Sequence, residues 1–369
     1  MISSRDIVKP KVFLHIGHPK TGSSAFQASL AKSHELLATR GILYPYHRSF
    51  KLASQNHISS GNLSIGAEDQ NWLTTEIEPV LNANTSYHTF IFSNENLIHR
   101  LSDFTSCIDQ LRDSWDFHIL LVVRNPIEQL GSVYQQLVKR HGYSKGYEDF
   151  LLDYEYQCNA THKSAAALEQ LEAHNITYSL FNYSILKDEV IEALAAAIGI
   201  DRGITDCSSK APVNRSLSTT ELQLLLFVNA IYGRDVGRQL ADSLVNQLPE
   251  VEAVSLAMKT DSWHKVVRAN QASLDKINQR LTASNQLSFA REAGFLGDLH
   301  CNLSASQLHI GRTILNDASR KELMDEANFS GESGSSHSTQ ANWSQQVARL
   351  MSITSRILEQ MQPATKSDR

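Results

Sequence analysis

The stretch that most limits what this chain can become is residues 11–24, KVFLHIGHPKTGSS. Its apolar run from Val12 to Ile16 alternates poorly and is bounded by Gly and Pro, the pattern of a strand covered on both faces of a sheet. The run breaks at Gly17 into a short loop that ends in hydroxyl residues. From Ser23 or Ser24 the segment reads as a helix, with Phe26, Leu30 and Leu37 near helical spacing and Gly41 placed as a C-terminal cap. Strand, glycine-containing loop and helix start together make an anion cradle. The first amides of a helix have no partners within it, the dipole favours negative charge there, and the hydroxyls of Thr21, Ser23 and Ser24 add donors.

The next residues supply the sheet that such a loop needs. ILYPY (42–46) reads as a short strand or extended turn and Phe90–Phe92 as a strand, which runs into SNENL (93–97), at the strand end where open α/β sheets place ligands. His118–Val123 is another buried-strand run. It ends in Arg124, after which Asn125 as N-cap, Pro126 at the first helical position and Glu128 in a capping box predict a helix. Ser132 then sits about two turns into that helix. NITYSLFNYSIL (175–186) adds a strand, and helices are expected over 69–82, 102–114, 164–174 and 187–199, the last capped by Gly199. This alternation predicts an α/β fold with a parallel central sheet flanked by helices and right-handed crossovers.

From about residue 215 the texture changes, with helix-like segments at 218–232, 236–247, 262–282 and 343–361 and no strand among them. The expected organisation is an α/β core over 1–214, a helical extension over 215–327, a flexible Ser/Gly linker over 328–342 and a terminal amphipathic helix over 343–369. There is no internal repeat.

A chain of 369 residues that is 41% hydrophobic can bury a substantial core. Its net charge of −5 gives no electrostatic case for a nucleic-acid partner, so an anion site has to be local. Cys107, Cys158, Cys207 and Cys301 lie far apart without a CxxC pair, which argues against a zinc knuckle and for no particular disulfide framework. No apolar run is long enough to span a membrane and the first residues hold no apolar leader, so the expected location is cytoplasmic. Triplets of the N-glycosylation type begin at Asn62, Asn84 and several later asparagines; a chain rich in Asn and Ser produces them by chance.

Gly17 and Gly22 have the spacing of the nucleotide P-loop, GxxxxGK[ST], yet Ser23 follows Gly22 and the lysine stands earlier, at Lys20. That displacement disfavours an ordinary ATPase or GTPase. The arrangement PK[ST]G[ST][ST] after a buried strand, with a strand-end arginine and a serine eight positions on, resembles the sulfotransferase family that uses 3′-phosphoadenosine 5′-phosphosulfate (PAPS). The resemblance covers about residues 11–220, and HPKTGSSAFQASLAKSHELLATRGILYP is especially similar to bacterial members. It implies a P-loop NTPase-like fold in which Lys20, Thr21, Gly22, Ser23 and Ser24, flanked by His18 and Pro19, hold the 5′-phosphosulfate. By the same resemblance Arg124 and Ser132 hold the 3′-phosphate, and Tyr183 is similar to the family's tyrosine at that strand end. The glycine-rich third motif that covers the adenine end in cytosolic members is not visible, so the adenine contacts stay open, with Asn214-Arg215-Ser216 as one candidate stand-in by the resemblance.

Sulfuryl transfer to a hydroxyl needs a base for the acceptor proton and donors for charge developing on the leaving phosphate. Lys20 suits the second task, and its bland alternative is a solvated loop lysine. Glu95 is the first choice of base, since related carbohydrate sulfotransferases commonly use a glutamate; its alternative is a helix-capping carboxylate. His57, in the polar loop 51–66, is the second choice, against the background that most of the fifteen histidines belong to the surface. For Arg124 the alternative is a strand-end arginine paired to a carboxylate, and for His15 a place in the core. Lys139, Arg140, His141 and Lys145 would attract an anionic saccharide or complement a helix C-terminus. Tyr134, Tyr143 and Tyr147 would stack on sugar rings or pack.

The expected activity is sulfuryl transfer from PAPS, as co-substrate and without a metal, to a hydroxyl of a carbohydrate or glycolipid acceptor. A homo-oligomer is compatible with the helical region, and neither nucleic acid nor a transmembrane segment is expected. Two alternatives stand beside it: a P-loop kinase or NTPase with an atypical lysine, and a non-catalytic interaction protein on a nucleotide-binding fold.

Overall fold

The structure is a computed structural model that describes residues 9–55, 61–63, 69–153, 159–201, 215–254, 256–289 and 303–332. The anchoring strand is β1 (Lys11–Gly17), and four more follow: β2 (Ile42–Leu43), β3 (Thr89–Ser93), β4 (Asp116–Val123) and β5 (Thr177–Asn182). They form one sheet in the order β2-β3-β1-β4-β5, and every pairing is parallel. Val12 is in register with Phe90 on one side and Phe117 on the other. β1 is therefore the middle strand, and the loop that leaves it opens at the centre of the sheet's C-terminal edge.

Parallel strands require crossovers, and the helices between them cover both faces. Between β1 and β2 lie α1 (Ser23–Lys32) and α2 (His34–Thr39); between β2 and β3 lie α3 (Phe50–Ser54) and α4 (Glu78–Ala83). α5 (Leu101–Leu111) precedes β4, and α6 (Pro126–His141), α7 (Tyr147–Asp153) and α8 (Asn159–Ala173) precede β5. The chain continues through α9 (Tyr183–Leu186), α10 (Val190–Ile198), α11 (Thr219–Gln247), α12 (Thr260–Asn278) and α13 (Ala305–Glu332). Alternate residues of each strand enter different cores. Phe13, Ile91, Leu120 and Val122 pack with Phe26 and Leu30 of α1 and Leu194 of α10. Val12, Leu14, Phe90, Phe92, Ile119 and Leu121 pack with Leu81 of α4, Phe104 of α5 and Leu168 of α8.

Within the described residues the predicted strands and helices are present in outline, with instructive departures: β2 stops at Leu43, β5 stops at Asn182 with Tyr183–Leu186 helical instead of extended, and Phe50–Ser54 is helical where a loop is expected from 51. The first helix breaks at Ser33, whose amide still bonds Ser29, so α1 and α2 are separate. The segment at 69–82 opens as a π-helical turn, Leu73–Ile77, before α4. The gap expected between 232 and 236 is a break inside α11 at Gly233, where φ is 76°. α13 runs on to Glu332, into the first residues of the tract expected as a linker, while 333–342 and the terminal helix at 343–369 lie outside the described residues.

Contacts divide the chain into two units; one boundary, at 213/214, coincides with the change of texture near residue 215, while 131–152 and 260–291 each join the other unit from their neighbours in the chain. One unit is 1–130, 153–213 and 260–291; the other is 131–152, 214–259 and 292–369. α12 joins the sheet unit because Leu274 and Ile277 sit in the same core as α8, with Lys276 paired to Glu169 at 2.7 Å. Among the described residues no helix is long and apolar enough to cross a membrane.

Candidate active site

Four successive strand ends of the first unit carry the chemistry. After β1 the loop tightens at once: the Thr21 hydroxyl donates to the His18 carbonyl at 2.7 Å. Lys20 takes a left-handed conformation with φ 73°, and Gly22 follows at φ 86°. Only glycine serves at Gly22, where a Cβ would lie 2.9 Å from Val190 Cγ1 and 3.0 Å from Tyr183 Cε2. The Gly22 carbonyl accepts the amides of Ala25 and Phe26 at 3.1 Å each, opening α1. The amides of Ser23 and Ser24 come before these and have no carbonyl within the helix, the condition for anion binding at a helix start.

The loop's base is held by a buried polar network. His15 Nδ1 lies 2.8 Å from Ser93 Oγ, which also accepts Gln27 Nε2 at 3.0 Å, so β1, α1 and the end of β3 are tied together. His15 is a core histidine, in edge contact with Phe26, and burial lowers its pKa from 6.5 to about 4.

Glu95 starts a 3-10 turn, Glu95–Arg100, directly after β3. Asn94, not Glu95, caps this turn, its Oδ1 accepting the Asn96 amide at 2.8 Å. Burial raises the Glu95 pKa, and the charge of Lys20 and the hydroxyl of Ser23 act against that rise. The Ser23 hydroxyl is near enough to influence the carboxyl, yet it does not meet hydrogen-bond geometry and is buried without another partner. Lys20 and Glu95 thus lie at the ends of neighbouring strands, β1 and β3, near enough for the lysine's charge to act on the carboxyl.

Across β1 from β3, Arg124 follows β4. Its Nη1 donates to the Lys20 carbonyl at 2.8 Å and its Nε to Glu128 Oε2 at 3.2 Å. Its guanidinium lies 5.0 Å from the centroid of the Tyr183 ring, at the end of β5. The capping box expected at this helix start is absent. Asn125 does cap α6, accepting the Ile127 amide at 2.9 Å, but its own amide goes to Ser184 Oγ at 2.8 Å, and that hydroxyl donates to Glu128 at 3.1 Å. Glu128 is therefore turned from the helix start towards the arginine.

His18 is buried, its Nε2 2.9 Å from Ser164 Oγ on α8. Burial, with the charges of His99 and Lys163, lowers its pKa to about 3, so it is neutral near neutral pH. Pro19 is anchored by Gln129 Nε2, which donates to its carbonyl at 2.7 Å; the other amide atom, Gln129 Oε1, is buried without a partner. A small cleft opens here, lined by His18, Arg124, Gln129, Thr161 and Ser164.

The first unit accordingly brings together His18, Pro19, Lys20, Thr21, Gly22, Ser23, Ser24, Glu95, Arg124 and Tyr183. Ser132 belongs to the stretch of α6 in the second unit, and His57 lies outside the described residues. Sequence reasoning missed Glu128, Gln129, Ser164 and Ser184. The first two stand in the helix start behind Arg124, where position alone marks them, but nothing local marks the two serines.

In the second unit the tyrosines pack, and two members of the cation cluster are bound within the fold instead of standing in solvent at a helix end. Lys139 is buried and donates to the Arg215 carbonyl at 3.0 Å, and Arg140 pairs with Asp242. Tyr134, Tyr143 and Tyr147 pack around Phe150. Arg215 is no stand-in for an adenine motif, because its guanidinium is bound at 2.8 Å by each Glu221 oxygen. Among the described residues no group of three or more His, Cys, Asp or Glu is arranged to hold a metal.

No family model matches this chain, and no curated protein does. Among solved structures it is similar to a sulfotransferase from Alicyclobacillus acidocaldarius, at 12% identity and a TM-score of 0.38, over 74% of this chain and 96% of that one. It is also similar to a retinol dehydratase in a complex with retinol and PAP, at 10% identity and a TM-score of 0.30, over 72% and 82% of the two chains. Likeness at this level is weak, concerns the fold and carries no argument about chemistry.

Proposed function

We propose that this chain is a PAPS-dependent sulfotransferase acting on a hydroxyl of a carbohydrate or glycolipid. The observation that carries the reading is that the charge of Lys20 acts on Glu95 beside a glycine loop whose first helical amides are unpaired within the helix, with Arg124 at the neighbouring strand end. The lysine precedes the second glycine, where the PAPS family's motif has it. In this reading the amides of Ser23 and Ser24, the hydroxyls of Thr21, Ser23 and Ser24, and Lys20 receive the 5′-phosphosulfate. Arg124 takes the 3′-phosphate, and the Tyr183 ring holds its guanidinium. The proposed site is confined to the first unit.

The acceptor oxygen attacks sulfur in line with the 5′-phosphate oxygen. As the new O–S bond forms the old one breaks, the hydroxyl proton passes to Glu95, and the electron pair leaves on the phosphate of 3′-phosphoadenosine 5′-phosphate. Lys20 and the loop amides meet that developing charge. Burial raises the Glu95 pKa and makes the carboxylate a better proton acceptor, while the charge of Lys20 opposes that rise and favours the ionised form.

Calorimetric titration with 3′-phosphoadenosine 5′-phosphate tests the donor assignment: binding that weakens in K20A is expected, and no binding overturns it. Incubation with PAPS and a glycan extract should yield products heavier by one sulfuryl group. Magnesium-dependent ATP turnover exceeding any PAPS-dependent transfer would instead favour the kinase reading.

A further inference from the structure

The 3-10 turn that begins with Glu95 also carries His99, and α8, which supplies Ser164 to His18, also carries Lys163. Lys163 Nζ and His99 Nδ1 are 2.7 Å apart. An ammonium has only donors, so Nδ1 is the acceptor in this pair and His99 carries its proton on Nε2. Two N–H groups of Lys163 and the Nε2–H of His99 then remain, all of them donors. No carboxylate pairs with either residue among the described residues, and the first turn of α8 holds no acid. The charges acting on the pair agree: burial and Lys163 lower His99, and burial alone lowers Lys163.

We propose that Lys163 and His99 bind an anionic substituent of the acceptor, so that the substrate is an acidic saccharide bearing a carboxylate or an existing sulfate. The proposal rests on reading Glu95 as the base. His99 lies four steps of 3-10 helix beyond Glu95, about 8 Å along the axis, a span of one to two sugar units. A hydroxyl at Glu95 and an acidic group at the Lys163–His99 pair can therefore belong to one short oligosaccharide. His99 is exposed and Lys163 half-buried, so both are open to such a ligand. The pair reads charge rather than sugar identity, and the donor phosphates have their own cations in Lys20 and Arg124.

The test is calorimetric binding of oligosaccharides to the full chain saturated with 3′-phosphoadenosine 5′-phosphate. The probes are unsulfated chondroitin, oligogalacturonate and oligomannuronate hexasaccharides, with neutral maltohexaose and an acidic hexapeptide as controls. Binding of at least one acidic saccharide and not of maltohexaose is expected. K163Q should weaken that binding about tenfold, as for loss of one charge-assisted hydrogen bond, while K163R retains most of it. A thermal melt like that of the native chain excludes misfolding of K163Q. Equal binding of acidic and neutral saccharides, no saccharide binding, preference for the peptide, or an undiminished affinity in K163Q overturns the proposal. Weakened binding of 3′-phosphoadenosine 5′-phosphate in K163Q also overturns it, by moving Lys163 to the donor. Failure of that nucleotide to bind the native chain overturns the sulfotransferase reading itself, so the two failures are distinct.

Discussion

Arg215 of the second unit and Arg124 of the first are both largely buried arginines, yet their donors are spent differently. Arg215 makes five hydrogen bonds, to Glu221, Leu244, Leu248 and Ser216, and Glu221 also accepts the Ser218 amide and Gln307. Such a guanidinium has nothing left for a ligand. Arg124 instead meets one backbone carbonyl, one carboxylate and the face of a ring, at the C-terminal edge of a parallel sheet. The surroundings of two lysines differ as well: Lys139 is buried on a carbonyl, whereas the charge of Lys20 acts on a carboxyl that burial pushes towards neutrality. A run of basic residues in a sequence therefore says little. What counts is whether the surrounding backbone and acids use up the donors.

The contrast breaks if the strand-end groups prove as dispensable to chemistry as those of the second unit. E95Q should lower PAPS-dependent transfer by about two to four powers of ten while binding of 3′-phosphoadenosine 5′-phosphate survives, as expected for loss of a general base. Steady-state kinetics and calorimetry on one preparation check this. The proton acceptor has to be ionised, so activity is present above the Glu95 pKa and lost as pH falls through it. Because burial raises that pKa above 4.5, the acid limb of the rate profile should lie above the usual carboxylate range. In K20Q the residual activity should show the limb at still higher pH, since Lys20 is the charge that opposes the rise.

R215A should act through stability. Leaving Glu221 charged and unpaired in the interior costs about 3–5 kcal/mol. Urea unfolding of the variant should show this loss, while the folded fraction transfers sulfate as before. A variant with native stability and lost transfer would reverse the roles assigned to the two arginines.

Both histidines of the β1 segment make the first unit sensitive to acid. Their native pKa values, about 4 for His15 and about 3 for His18, lie below the ordinary 6.5, so the native state binds fewer protons than the unfolded chain. Their contribution to stability is complete above pH 6.5 and is lost as pH falls from there towards 3. Urea midpoints measured from pH 7 to pH 4 should decline, and H18Q should flatten the decline.

The strands were legible because a strand covered on both faces must be apolar throughout, and KVFLHIG, TFIFS and HILLVV allow little else. The approach of Lys20 to Glu95 was legible only through topology: both end strands, and β1 and β3 are neighbours. What Glu128 does was not legible. A glutamate three residues after an N-cap either turns back to the cap amide or turns outwards, and here Ser184, from a segment some sixty residues away, takes that amide first. The partner of α12 was equally hidden, since Val266, Leu274 and Ile277 give a buried stripe without naming what covers it.

Glu128 also provides the sharpest division between two roles for Arg124. As a ligand of the 3′-phosphate, Arg124 should contribute to 3′-phosphoadenosine 5′-phosphate and not to 5′-AMP, which lacks that group. R124A should then weaken the first about ten- to a hundredfold, the range for a charge-assisted hydrogen bond, and leave the second unchanged. As a clamp on the loop through the Lys20 carbonyl, Arg124 would matter equally to both nucleotides. E128Q refines the choice with the smallest effect. The carboxylate at 3.2 Å neutralises much of the guanidinium charge, so its removal should tighten 3′-phosphoadenosine 5′-phosphate a few-fold if Arg124 is a phosphate ligand. Under the clamp role the same change removes a brace from the arginine and weakens both nucleotides. Calorimetry with the two nucleotides on native chain, R124A and E128Q therefore separates a cation held for a ligand from one spent on the fold.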